Sequence, residues 1–427
     1  RKLSIIFFGL GNFARHQIAK GVIFLAGEIG FIVFMIYAGA HNLAMLPSLG
    51  WRQASTEWVG AKLVHTAGDN SVLILLYGVC TLVLCAVFVL WWDLAIRSAY
   101  KAQCLAGKNG HAPSLLDDIH TLLNEKANIL FLALPTLGIL IFTVLPLIFM
   151  ISMAFTSYDH NHLVLFDWVG FENFKTVFSN SGSIVSARLF MSVLGWTLIW
   201  AFFATFLNFF CGLFLAMVIN RKTRTAGLLA CRLLDVDRVP QFVSLLVMHQ
   251  MLQPQGAINR ILMNWGWIDN PMPFFTDATW ARVTVIVINL WVGIPYTIMQ
   301  VTGILQNIPA DQYEAAEIDG ANWWQIFTKI TMPYIIFVLT PYLITTFTGN
   351  VNNFNVIYLL TRGDPAVVGD SAGKTDLLIT WLYKLTVDNN DYNLGAVIGI
   401  MTFVVLAVVS LITYRSSGSY KNEEAFR

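Results

Sequence analysis

Two clusters of residues in this chain have the types and spacing to do specific work. The first is polar within apolar surroundings. Asn289, Gly293 and Tyr296 recur at intervals of four and three, so a helix places all three on one face. Thr346, Gly349, Asn350 and Asn353 repeat the pattern at i, i+3, i+4 and i+7. Polar side chains inside membrane-length apolar runs are costly and mark ligand paths by default. An Asn amide donates and accepts at once, which suits a ligand rich in hydroxyls. The alternative role is helix–helix glue, since small and amide side chains also bond adjacent helices.

The second cluster spans Ile308 to Pro333. Asp311 suits an N-cap, with Glu314 three residues on completing a capping-box-like start. Tyr313, Ala316 and Ile318 fall near one face of the helix that follows. Gly320 stands where a residue of positive φ is wanted. Trp323, Ile326, Phe327 and Ile330 then recur with helical spacing, and Pro333 fits the first turn of another helix. The expectation is a short helix, a tight turn and an amphipathic helix. Small Ala315 and Ala316 permit close approach of another surface, so the hairpin suits force transmission from a soluble partner. An ordinary interfacial helix is the other reading.

Both clusters need a membrane frame. Hydrophobic residues make up 56% of the chain and charged residues 12%, with mean hydropathy +0.64. A soluble domain carries roughly 25% charged residues, so the apolar excess must face lipid. Eight stretches approach the roughly 20 apolar residues that a bilayer core requires. They run 21–46, 71–92, 129–155, 189–219, 236–253, 282–305, 333–360 and 393–414. With the N-terminus cytoplasmic, sixteen Lys and Arg fall inside and nine outside, which favours both termini in the cytoplasm. The first stretch is too long for a cleavable signal and lacks its cleavage site.

Several functions lack support. Net charge is +1 and no basic face is interleaved with aromatics, which argues against nucleic-acid binding. Cys80, Cys85, Cys104, Cys211 and Cys231 lie in membrane stretches or on the cytoplasmic side, so a disulfide framework is not expected. Gly373-Lys374-Thr375 echoes a phosphate-binding loop, but Val368 stands where that motif needs its first Gly. His160 and His162 have no further metal ligands nearby. Glu28 is the one clear intramembrane carboxylate, better suited to a fixed partner than to proton relay. Trp265, Trp267 and Trp280 read as headgroup-level anchors or a sugar-stacking platform. Two acids and an arginine in 235–238 pair or kink the entry to the fifth stretch.

The second cluster resembles the EAA loop of permease subunits in bacterial binding-protein-dependent ABC importers. Glu314-Ala315-Ala316, Gly320, Ile330 and Pro333 carry the likeness, with Met332 where the family often has Leu. The resemblance continues over 129–414 and is strongest to MalF-type permeases of maltodextrin importers, through 289–296, 350–354 and 375–378. The external loop near 156–188 resembles the short Gram-positive form.

The resemblance implies an all-α integral membrane protein of about eight transmembrane helices, a type I importer permease. Residues 1–128 would hold an N-terminal segment, two accessory helices and a linker; 129–414 the six-helix core with coupling loop 308–333; 415–427 a cytoplasmic tail. Glu314, Ala315, Ala316, Asp319, Gly320 and Ala321 would dock into a cytoplasmic ATPase. Asn289, Val292, Gly293, Tyr296, Thr346, Asn350 and Asn353 would line the sugar path. Gly349 falls on the same face, though maltose-type relatives can carry an aromatic there. Implied partners are a second, MalG-like permease, an ATPase dimer, an extracellular sugar-binding lipoprotein, an oligosaccharide and lipid. The chain itself would bind no cofactor and catalyse nothing, ATP and Mg residing on the ATPase. Maltodextrin is the expected cargo, with galacto-oligosaccharide or a plant glycan as the alternative. An ion-coupled secondary transporter is a further alternative; it would need more intramembrane carboxylates than Glu28.

Overall fold

The computed structural model describes residues 6–59, 62–109, 113, 115–179, 185–220 and 239–416. Among them seven helices are long and apolar enough to cross a membrane. These correspond to seven of the eight expected stretches. The exception, 236–253, is helical over Gln241–Met251, 11 residues. At 1.5 Å per residue that helix reaches about 16 Å, half of a bilayer core. The charged stretch 235–238 lies outside the described residues.

The chain forms two compact units, Arg1–Asn173 and Phe174–Arg427. In the first, helices α1 (Ile18–Met45), α2 (Ser71–Gly107) and α3 (Ala127–Met153) are the spans. Phe31 stacks on Phe88 with centroids 3.9 Å apart, joining α1 to α2. Glu28 is buried and accepts a 2.8 Å bond from the Phe8 N–H, so it has a structural partner. Leu49, Leu75, Val79 and Phe166 form a small core, where Ser71 donates to the Leu49 carbonyl at 2.6 Å. An antiparallel hairpin, β1 (Ser55–Val59) with β2 (Lys62–Thr66), pairs Ser55 with Thr66. It is one small departure from the all-α expectation.

In the second unit, α4 (Ala187–Ile219) starts at Ser186, whose hydroxyl accepts from the Leu189 N–H. The short α5 (Gln241–Met251) and α6 (Ala257–Asn264) precede α7 (Ala278–Leu305). Asp277 caps α7, accepting from Thr279 and Trp280 N–H. Then come α8 (Ala310–Ile318), the long α9 (323–351), α10 (Phe354–Leu360), α11 (Leu378–Tyr383) and α12 (Tyr392–Ser416). Trp196, Trp200, Leu245, Ile288 and Ile357 belong to one core; Phe209, Leu213, Ile298 and Ile335 belong to another. The helices α4 and α7 approach closely because small residues face side chains: a Cβ on Gly212 would lie 2.6 Å from Thr297 Cβ.

The loop from Thr361 to Leu377 ties several helices together. Trp196 Nε1 donates to the Thr375 carbonyl at 3.1 Å, and Arg282 Nε to the Lys374 carbonyl at 2.9 Å. The Leu378 N–H donates to Thr197 Oγ1. At the centre Asp376 is fully buried and takes donors from Gly373 N, Thr380 Oγ1 and Lys384 Nζ, the last at 2.6 Å. Burial pushes its carboxyl above the usual carboxylate range, while Lys384 and these donors act in the opposite sense. Gly363, at φ +87°, has no space for a Cβ against this carboxylate. Asp376→Asn should therefore destabilise the protein by about 3 kcal/mol, because a buried ion pair loses one partner. Thermal unfolding of the detergent-solubilised protein measures it. An unchanged midpoint would show that the loop does not rely on the pair.

Candidate functional site

A cavity of about 370 Å³ opens among α4, α5, α7 and α9. Ligand clefts run roughly 300–1,000 Å³. Asn289, Val292, Gly293 and Tyr296 of α7 line it, with Thr346 and Asn350 of α9 and Asn353 at the cap of α10. Gly349 is not brought to the cavity: it is exposed, and a Cβ there would meet nothing within 4 Å.

The local folding explains the lining. Within α7, Pro295 cannot donate to the helix, and Thr297 donates to the Gly293 carbonyl at 3.0 Å. Asn289 is 4% exposed and makes no side-chain hydrogen bond to the described residues, so its amide is available to the cavity. At the other wall α9 stops at Asn352, and Asn353 restarts the chain by capping α10 through Val356 N. The Asn350 side-chain amide donates to Thr205 Oγ1 at 3.0 Å, and the Asn350 backbone carbonyl accepts from Trp200 Nε1 at 3.1 Å. Tyr296 and Tyr342 place their rings 6.4 Å apart, giving aromatic surface beside the amides. Among the described residues, none that lines it is acidic, basic or His.

Sequence reasoning missed Thr205, Asn208, Gln241, Ser244 and Tyr342, all of which line the cavity. Asn208 and Thr205 were open to the rule that picked Asn289, being polar within an apolar run. Tyr342 precedes Thr346 by one helical step of four, extending the same face. Thr205 lies in a π-turn, Phe203–Leu207, which shifts the helix register just before Asn208. Asn208 donates to the Ala204 carbonyl at 2.7 Å, leaving its own buried Oδ1 without a partner.

The second cluster forms the expected hairpin with altered details. α8 starts at Ala310 with Pro309 in the cap position, so Asp311 sits in the first turn and caps nothing. Its charge there still complements the helix dipole. The capping box forms instead at Asn322 and Gln325, which exchange bonds of 2.8 and 2.9 Å. Of the three residues placed near one face, Tyr313 and Ala316 are half-buried and Ile318 is 85% exposed. Gly320 has φ +76°. The Ala321 N–H reaches the Ala316 carbonyl and the Gly320 N–H the Glu317 carbonyl, completing a Schellman turn. Glu314, Ala315, Asp319 and Gly320 are exposed, with Ala321 half-buried. Trp323 and Trp324 also face outward, at 54% and 61% exposure. The second arm does not end before the next span. It runs through a π-turn, Phe327–Thr331, into α9 without a break, and Tyr313 Oη meets Thr331 Oγ1 at 3.2 Å.

A helical membrane bundle with a neutral polar cavity and a helical hairpin continuous with the cavity wall is the architecture of a membrane permease. The family model for a binding-protein-dependent transport system inner membrane component matches residues 208–418. The galactooligosaccharide transport permease GanP of Bacillus subtilis is 34% identical, covering 99% of this chain and 98% of that one. The maltodextrin transport permease MalC of Streptococcus pneumoniae is also 34% identical, at 99% and 96% coverage. Among solved structures, a bacterial ABC transporter that imports the acidic polysaccharide alginate aligns with TM-score 0.59 at 23% identity. That alignment covers 70% of this chain and 97% of the other. The chain belongs to the family of binding-protein-dependent transport system inner membrane components. It is an ABC importer permease of MalF-like type, a multi-pass membrane subunit rather than an enzyme.

Proposed function

We propose that this chain carries an uncharged oligosaccharide, maltodextrin foremost, across the cytoplasmic membrane as one permease of an ATP-driven importer. The observation that carries the reading is the chemistry of the cavity. Among the described residues, amides, hydroxyls and two tyrosine rings line it, without a charged side chain. Neutral glycans need many hydroxyl partners and a ring-stacking face, and they need no counter-charge. An acidic glycan buried there would leave its carboxylates unpaired, at large cost.

The hairpin would dock into a cytoplasmic ATPase dimer through Glu314, Ala315, Ala316, Asp319, Gly320 and Ala321. A second homologous permease would complete the path, and an extracellular sugar-binding lipoprotein would deliver cargo. ATP and Mg belong to the ATPase in this arrangement, and both termini are cytoplasmic. The galacto-oligosaccharide alternative stands on a specific observation, since GanP and MalC match this chain at the same 34% identity.

The test is ATP hydrolysis by the liposome-reconstituted complex, with its binding protein, across an oligosaccharide panel. Maltotriose should stimulate it several-fold. Stimulation by galactobiose alone would keep the neutral-glycan importer and replace its cargo. Stimulation by oligouronates alone would overturn the neutral-cavity argument.

A further inference from the structure

The first unit holds an apolar groove of about 620 Å³ between α1 and α2. Glu28, Ile32, Ile36 and Ala40 run along it at helical steps of four, and Phe88 and Trp92 of α2 face them. Phe8 closes one side. Its ring stacks on Phe88 at 5.3 Å, and Phe88 stacks on Phe31 at 3.9 Å. Gly9, at φ +82°, turns this segment back against α1, where a Cβ would lie 2.4 Å from the Gly21 carbonyl oxygen. Packing therefore builds three sides of the groove. The fourth is open, and Ile36 is 73% exposed there.

The depth of the groove follows from helix length. Seventeen residues separate Glu28 from Met45, the last of α1. At 1.5 Å per residue they rise about 26 Å, most of a hydrocarbon core of about 30 Å. From Ser71 to Trp92, twenty-one residues of α2 rise about 32 Å. Both counts put Glu28 and Trp92 at the edge of the hydrocarbon. Trp91 Nε1 reaches the Phe24 carbonyl at 3.5 Å near that level, and the exposed Arg97–Asp93 ion pair follows one turn on. From Glu28 to Ala40 the groove runs about 18 Å toward the far side, little more than one leaflet. That is the reach of one acyl chain whose headgroup sits beside Glu28.

The carboxylate selects the headgroup. Its Oε2 accepts from the Phe8 N–H at 2.8 Å, and its Oε1 has no partner among the described residues. A primary ammonium donates to such an oxygen with a charge-assisted bond. A trimethylammonium has no N–H to donate, and an anionic headgroup without an amine meets like charge. We propose that this groove is a specific lipid site, seating one acyl chain of a phospholipid whose primary ammonium bonds Glu28. The site is independent of the cargo and of the hairpin.

Glu28→Gln is the informative variant. Its amide oxygen still accepts from the Phe8 N–H, while an NH₂ group replaces the oxygen that the ammonium needs. Ile32→Trp fills the groove, so the lipid lost on that substitution defines the site. The complete importer is equilibrated in nanodiscs holding equal parts of phosphatidylethanolamine, phosphatidylcholine and phosphatidylglycerol with the same chains. It is then extracted into mild detergent, and retained lipid is counted by native mass spectrometry. The wild-type site should hold the ethanolamine lipid about three- to tenfold over either other lipid, the range for one charge-assisted bond at a part-wet position. Glu28→Gln should bring that ratio to about one. Equal retention of all three lipids by the wild type, or an ethanolamine preference that survives Glu28→Gln, would overturn the proposal. So would retention unchanged by Ile32→Trp, which would place the lipid elsewhere. No retained lipid at all would show that protein covers the groove in the assembled importer, and would overturn it too. Should Glu28→Gln fail to assemble, the wild-type ratio measured against Ile32→Trp decides.

Discussion

Gly293→Ala should cut uptake by the reconstituted importer more than tenfold, although it adds a single methyl group. The new Cβ would overlap the amide of Asn208, which lies directly on the Gly293 backbone. Asn208 has little freedom to retreat. Its Nδ2 is bonded to the Ala204 carbonyl at 2.7 Å, and its Oδ1 is already buried without a partner. Overpacking of this kind costs about 1–3 kcal/mol. It would fall on the contact between α4 and α7, both of which line the cavity, and would change the spacing of Thr205 from Asn289. Asn208→Ala in the same chain removes the obstacle. The double variant should regain most of the thermal stability that Gly293→Ala loses, with a coupling of about 1–2 kcal/mol. Wild-type stability and uptake in Gly293→Ala alone would show that helix spacing here is not limiting. The experiment also separates two roles for the glycine, since loss of a sugar contact would not be rescued from Asn208.

That glycine illustrates what a sequence discloses and what it withholds. Its spacing from Asn289 and Tyr296 placed it on the right face, because helical periodicity is a local property. Its contact with Asn208 was not legible, because pairing of α4 with α7 is set by tertiary packing. The hairpin was legible for the same local reason: a glycine such as Gly320 is favoured where a helix closes in a Schellman turn. Asp311 was misplaced by two residues because Pro309 takes the cap position and starts the helix earlier than a capping acid would. Gly349 shared the periodicity of Asn350 and yet faces away, since an α-helical stripe is broader than the part of it that meets a cavity. The loop around Asp376 gave no local signal. Its determining bonds join residues far apart in sequence, such as Trp196 to Thr375. The start of α5 was hidden by hydropathy, which reads 236–253 as continuous and registers neither a non-helical Pro240 nor the eleven-residue length.

Gly320→Pro should reduce sugar uptake by a hundredfold or more while leaving the cavity untouched. At φ +76° the position lies where proline, fixed near −65°, cannot go. The substitution also removes the N–H that reaches the Glu317 carbonyl. Together these cost about 3 kcal/mol or more, enough to dismantle the turn between α8 and Asn322. Gly320→Asn is the matched control, since Asn tolerates the left-handed region, and it should keep at least a third of the uptake. Nothing stands within 4 Å of a Cβ at this site, so steric crowding does not confuse the comparison. Why uptake should be so sensitive follows from continuity. The arm beyond the turn is the same unbroken helix that carries Thr346 and Asn350 to the cavity wall. Tyr313 ties α8 to the root of that helix through Thr331. On the proposed docking, a push received on the exposed face of α8 would reach the cavity wall through this one continuous helix. Without the turn, the push deforms the hairpin instead. Gly320→Pro with normal uptake would sink this account. ATP hydrolysis that persists without uptake would locate the break in the hairpin, and loss of the ATPase from the purified complex would locate it in the docking face.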